Sequence, residues 1–253
     1  MERNLTTGSI WKNIFYFSLP YLLSYFLQTL YGMADLFIIG QFDGAAGTTA
    51  VSIGSQVMHM ITVIIVGLAM GTTVSIAQAV GAKDKKQASR CTGNTITLFL
   101  GVSVVMVILL LLVKPIVLVM STPSEAVSGT VAYLTICFIG IPFITAYNII
   151  SSIFRGLGDS KSPMYFIAVA CAANIALDYL FMGALHLGPS GAALGTTLSQ
   201  TLSVILALIA IRKRDTGIRL TRSDLSPQTA VMGQILKIGV PIALQDGFIQ
   251  IAF

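Results

Sequence analysis

Phe17–Gly40, FSLPYLLSYFLQTLYGMADLFIIG, is an apolar stretch that carries a single carboxylate, Asp35. Extended back to Ile14, the run makes about 40 Å of helix at ~1.5 Å per residue, enough to cross a hydrocarbon core of about 30 Å with some tilt. A carboxylate facing lipid is costly, so Asp35 must face a bundle interior, a partner or water, and a residue so placed is functional by default. Gln28, Tyr31 and Asp35 recur at helical spacing and form one polar face on an otherwise apolar rod. The stretch KIGVPIALQ at 237–245 echoes the surroundings of Pro20, which makes the opening helix the first copy of a repeated element.

The rest of the chain belongs to the same physical class. Over 253 residues it is 55% apolar and 10% charged, with mean hydropathy +0.85, far below the charge content of soluble domains. It is an integral membrane protein. Arg3 and Lys12 precede the first apolar run, but that run is too long for a signal-peptide core and lacks a small-residue exit, so it reads as an uncleaved first helix. The net charge of +5 does not imply nucleic acid, because the bases sit in short loops between apolar spans. Cys91, Cys137 and Cys171 lie in or beside spans and read as packing residues without a disulfide framework.

Apolar spans fall at about 14–40, 50–80, 93–120, 127–154, 163–186 and 191–211, and a seventh begins near 235. With the N-terminus on the cytoplasmic side, every Lys and Arg except Lys114 lies on that side, which fixes the orientation and puts the chain in the cytoplasmic (inner) membrane. The loops at 83–90, 155–161 and 212–227 then face inward, and those near 43, 123 and 188 face outward. The fold class is an all-α six-transmembrane-helix bundle plus the start of a seventh span. Residues 1–211 form the amino-terminal lobe, 212–232 a cytoplasmic linker rich in charge, and 233–253 the start of a carboxy-terminal lobe. Six crossings return the chain to its starting side, so the second Pro-containing helix enters in the same sense as the first, a parallel repeat. The chain is expected to be one lobe of a two-lobed carrier, with the remainder of the carboxy-terminal lobe as its intramolecular partner.

Asp178 lies in the outer half of the fifth span, with Asn174 one turn before it. Counted from the outer ends of their spans, Asp35 lies about 9 Å deep, Asp178 about 12 Å and Thr196 about 8 Å. Two acids, an amide, a hydroxyl and Tyr31 therefore converge in one layer. The plain alternative is that each acid pairs with a neighbouring amide for packing. Two like charges in a low-dielectric layer share a proton readily, so the pair is a candidate for proton exchange. Pro20 weakens its helix and supplies a conformational element for that exchange to bias.

Other motifs carry less. GLAMG at 67–71 and GAALG at 191–195 allow helices to approach closely and read as packing. His59 has no second ligand at helical spacing and reads as a hydrogen-bonded core histidine, so no metal site is assigned. Met58, Met60 and Met70 are ordinary membrane packing before they are an adaptable wall for ligands. GLGD at 156–159 matches a string of intramembrane aspartyl proteases, but the Tyr-Asp pair those enzymes need is missing and a turn between two spans is the simpler reading.

Span one ending in ADLFIIG, the loop GAKDKKQA, the loop RGLGDSKSP, and NIALD followed by GAALGTT together resemble the multidrug and toxic compound extrusion (MATE) transporters, over the whole chain. The resemblance implies a twelve-helix cation-coupled antiporter of two six-helix lobes, exporting drugs or other organic compounds, mostly cationic or amphipathic, with H+ or Na+ as coupling ion and no cofactor. In the branch resembling DinF-type members, the amino-terminal lobe carries a cation-coupling site whose positions match Gln28, Tyr31, Asp35, Asn174, Asp178 and Thr196. The NorM-type branch places a glutamate where Ile249 stands, so the DinF-like branch is favoured; the nearby Asp246 has no assigned role. Lipid-linked oligosaccharide flippases of the same superfamily are the alternative, disfavoured because no basic residue lies mid-membrane in the six spans.

Overall fold

The computed structural model describes residues 8–213 and 221–252, with the side chains of 251 and 252 left aside. Arg3, Arg214 and Arg219, used above for orientation, lie outside the described residues. The elements in order are α1 (Ile10–Phe42), α2 (Gly44–Gly81), α3 (Lys85–Ile108), a 3-10 segment (Leu109–Leu112), α4 (Val113–Val119), α5 (Val127–Gly156), α6 (Lys161–Asp178), a π segment (Tyr179–Ala184), α7 (Gly188–Lys213) and α8 (Thr229–Ala252). Six helical stretches among the described residues are long and apolar enough to cross a membrane: α1, α2, Lys85–Val119, α5, Lys161–Ala184 and α7.

Two spans expected to be continuous are interrupted. The third changes to a 3-10 turn at Leu109–Leu112 because Pro115, just inside α4, has no N–H to donate to the carbonyl of Leu111. The fifth changes from α to π immediately after Asp178. The seventh helix starts at Thr229, earlier than the expected position near 235, and α7 continues to Lys213, so helix occupies both ends of the segment read as linker. Asn94 of α3 accounts for that early start. It is buried, its Oδ1 accepts from Gln228 N at 2.7 Å, and its Nδ2 donates to Asp224 O at 3.2 Å, so α3 caps a backbone donor at the start of α8.

One apolar core lies where α1, α2, α3 and α5 meet, around Ile38, Ile39, Val51, Ile65, Phe99, Leu134, Phe138 and Ile141. A second joins α5, α6 and α7 through Tyr147, Phe154, Phe166, Ile167 and Val204. Large side chains such as Trp11, Leu22, Phe26, Phe37, Leu100 and Leu111 are exposed instead, as on a helix bundle bathed in lipid. Glycine decides one contact in particular. A Cβ at Gly67 would meet the Ala243 backbone and one at Gly71 the carbonyl of Ile235, so GLAMG lets α2 and α8 touch backbone to backbone. His59 is exposed on α2. It is therefore not a core histidine: the face of α2 that carries it points away from the α5 contact, where Gly54 packs on Tyr133.

The helix ends near residues 43 and 188 meet around Asp43, the single residue between α1 and α2. Its carboxylate lies against both Gly47 and Gly188, and Gly188 has φ +54, so the turns near 43 and 188 sit at one end of the bundle. The loop at 156–160 is a turn, as expected. Gly158 has φ +88, and Asp159 Oδ1 accepts from the backbone N–H of Lys161 and of Ser162, both at 3.0 Å, capping α6.

Candidate cation-coupling site

Three helices bring the polar residues of the membrane layer together. α1 contributes Asp35, 3% exposed; α6 contributes Asn174 and Asp178, both fully enclosed; α7 contributes Thr196. α1 packs on α6, and α6 on α7, so the three faces converge without help from the rest of the bundle. Thr196 Oγ1 donates to Asp35 Oδ2 at 3.1 Å. The carboxylates of Asp35 and Asp178 face each other within hydrogen-bonding reach, and Asn174 stands beside Asp35.

What the protein leaves unsatisfied matters as much. Asp35 Oδ1, both carboxylate oxygens of Asp178 and both amide atoms of Asn174 are buried and find no hydrogen-bond partner among the described residues. Buried polar atoms are nearly always paired, so a cluster of several orphans in one place marks a candidate site. All of them but the amide nitrogen are oxygens, and three belong to the two facing carboxylates, which repel unless a proton or cation lies between them. The arrangement suits a small hard cation.

The remaining expected residues sit at different distances from this pair. Tyr31, one turn before Asp35, turns its hydroxyl towards Gln200 of α7 and remains within electrostatic reach of Asp35. Gln28, a further turn away, is half-buried, and no hydrogen bond among the described residues ties it to the acids. Pro20 lies buried in α1, where Ser24 Oγ donates to its carbonyl at 2.8 Å; next to it, the Arg155 guanidinium lies over the Tyr21 ring, 5.1 Å from its centroid.

Sequence reasoning missed two neighbours. Gln200 is 4% exposed with an unpartnered Oε1, and it follows Thr196 by one turn on the same face; that spacing was the available signal. Gly195 was read as packing only, yet its position abuts the Asp178 carboxylate. Nothing in GAALG distinguishes a glycine that admits a helix from one that admits a carboxylate.

The sequence model of the MatE family matches residues 20–180. The chain is 31% identical over 244 residues to the probable multidrug resistance protein YpnP of Bacillus subtilis (strain 168), covering 96% of this chain and 54% of that protein. It is 28% identical over 241 residues to the multidrug export protein MepA of Staphylococcus haemolyticus (strain JCSC1435), covering 94% and 53%. Among solved structures, a crystal structure of MATE in the bent conformation superposes with TM-score 0.89 at 30% identity, covering 95% of this chain and 54% of that one. The chain thus spans about half the length of the relatives it matches. These relatives are transporters, not enzymes, which removes the protease reading of GLGD.

Proposed function

Because this chain belongs to the MatE family, we propose that it is the amino-terminal lobe of a cation-coupled antiporter that exports drugs or other organic, mostly cationic or amphipathic, compounds across the cytoplasmic membrane. Residues 1–211 form that lobe, 212–232 the cytoplasmic linker and 233–253 the start of the carboxy-terminal lobe, with the N-terminus cytoplasmic. Coverage of about half of each relative supports a partner lobe in the same polypeptide.

One observation carries the reading: two buried carboxylates, Asp35 and Asp178, face each other among unpartnered oxygens. Asp35, Asp178, Asn174 and Thr196 are the residues that take up the coupling ion, H+ or Na+, with Tyr31 and Gln28 extending the polar face and Pro20 providing the conformational element. No other cofactor is required. The pair works by differential binding. An ion held more tightly in one conformation of α1 against α6 and α7 biases the lobe towards that conformation, whereas equal affinity would shift nothing. Protonation of one acid turns an acceptor into a donor, which rewires the bonds to Thr196 and Asn174. The DinF-like branch is favoured over the NorM-like one by Ile249, and drug export over lipid-linked oligosaccharide flipping by the lack of a mid-membrane lysine or arginine in the six spans.

The test is gradient-driven efflux from proteoliposomes holding this lobe with its carboxy-terminal half. Asp35→Asn and Asp178→Asn are each expected to abolish coupled efflux while membrane insertion persists. Normal rates with normal ion dependence in either variant would falsify the assignment.

A further inference from the structure

Adjacent residues on α7 meet the acid pair in opposite ways. Thr196 extends a hydroxyl to Asp35. Gly195 extends nothing, and that is its contribution. A Cβ built on Gly195 would fall inside the contact radius of Asp178 Oδ1, 3.3 Å from Cγ of the same carboxylate and 3.6 Å from Asn174 Nδ2. The Asp178 carboxylate therefore occupies the space that any side chain at 195 would claim.

Shape matters here because no donor among the described residues holds this group. Both Asp178 oxygens are buried with no donor among the described residues, so the orientation of the carboxylate is set by the surfaces around it: the α7 backbone at Gly195, with Asn174 beside it, and the Asp35 carboxylate. Gly191, one turn earlier on the same face, provides the contrast. A Cβ there would lie 3.1 Å from the Phe181 carbonyl carbon and 3.1 Å from Phe181 Cβ. Backbone cannot step aside, so a methyl at 191 strains the helix contact. The free end of an aspartate can rotate, so a methyl at 195 leaves the helices in place and turns the carboxylate.

We propose that Gly195 is a positioning residue of the coupling site: its bare α-carbon is the slot that seats the Asp178 carboxylate opposite Asp35, and filling the slot weakens binding of the coupling cation. This rests on the reading of Asp35 and Asp178 as the coupling pair. A carboxylate turned out of the slot no longer presents its oxygens to the point shared with Asp35, and a misplaced ligand group loses affinity steeply.

The experiment measures efflux by the complete two-lobed carrier in proteoliposomes, varying protons and Na+ one at a time, together with thermal unfolding. Gly195→Ala is expected to raise the half-saturating concentration of the coupling cation by about tenfold or more, with the maximal rate at saturating cation little changed. Gly191→Ala is expected to lower thermal stability and leave half-saturation where it was. An unchanged or lowered half-saturating concentration in Gly195→Ala overturns the proposal. If Gly195→Ala accumulates poorly, Asp178→Ala in the same chain decides. Removing the carboxylate clears the collision, so the double variant should match the stability of Asp178→Ala alone; a double variant still destabilised shows that Gly195 serves helix packing only and overturns the proposal. Failure of the underlying reading looks different: Asp178→Asn would then transport normally with normal ion dependence, whatever Gly195→Ala does.

Discussion

Thr196 Oγ1 lies 3.1 Å from Asp35 Oδ2 across 161 positions of sequence, tying the first span to the sixth at the level of the second carboxylate. The hydroxyl is the one neutral donor that the protein itself supplies to the acid pair by direct bond among the described residues, so it sets where Asp35 points while the opposite oxygen stays open. Thr196→Val keeps the shape and deletes the donor. A hydrogen bond to a charged group contributes about 1.5–3 kcal/mol, so coupling-cation affinity is expected to change by roughly tenfold or more, and Thr196→Ser should restore it. Equal half-saturation in wild type and Thr196→Val would remove the hydroxyl from the site.

The carboxylates themselves should be indispensable in a stricter sense. Asp35→Asn and Asp178→Asn preserve volume and remove charge, so the lobe is expected to insert and fold while efflux loses its dependence on the gradient. Counterflow of labelled substrate at equal ion concentrations separates the two effects. Exchange that persists in the variants without net efflux identifies a coupling lesion, whereas loss of both would make the acids part of the substrate path.

Orientation can be checked with single cysteines. Cys91, Cys137 and Cys171 are buried, which keeps the background of an impermeant thiol reagent low. Lys85→Cys, exposed at the start of α3, should be labelled only after the membrane is opened, and Ser124→Cys, exposed between α4 and α5, in intact cells. The reverse pattern would invert the topology. Position 219 would report on the same face as 85, but it lies outside the described residues.

Much of the fold could be read from apolar run length, because a bilayer demands long self-satisfied helices and a run such as Val127–Gly156 has few other options. The convergence of Asp35, Asp178 and Thr196 followed from counting residues inward from each span's outer end. What escaped was decided by contacts between distant segments. The early start of α8 depends on a cap from Asn94, more than a hundred positions away, and the role of Gly195 depends on where the Asp178 side chain points. The change to 3-10 at Leu109–Leu112 was within reach through Pro115, a signal outweighed by the strength of the surrounding leucine run.

The linker end is held by few bonds, which makes it a clean target. Asn94→Ala leaves Gln228 N–H and Asp224 C=O without their buried partner, at a cost of about 1–3 kcal/mol each where water cannot replace it. Hydrogen exchange and protease cleavage over 221–228 should rise, with α1–α7 unaffected. Hydrogen bonds from Thr221, followed by the positive charges of Arg90 and Lys86, hold the Asp224 carboxyl below its ordinary value. A group lowered on folding stabilises above its ordinary value and loses that contribution only as pH falls through the lowered one. Protection of the segment should therefore stay flat from about pH 8 to 5 and decline only in stronger acid. A transition near neutral pH would contradict this.

Pro20 offers the last test, on movement instead of binding. Pro20 is buried in α1, about four turns from Asp35, and cannot donate to the carbonyl one turn before it; Ser24 takes up the Pro20 carbonyl in turn, at 2.8 Å. The helix is weakened at one place, close to where Arg155 lies over the Tyr21 ring and holds its N-terminal half to α5. If α1 bends there as the acid pair loads and unloads, Pro20→Ala restores a backbone donor and stiffens the element without touching the carboxylates. Maximal efflux should then fall several-fold while the half-saturating ion concentration holds, the reverse of the pattern expected for Gly195→Ala. Arg155→Gln removes the cation–π contact and should act in the opposite sense, loosening the N-terminal half of α1, seen as broader distances between spin labels on α1 and α5. An unchanged maximal rate in Pro20→Ala, with unchanged distance distributions, would show that the lobe changes state by some motion other than a bend in α1.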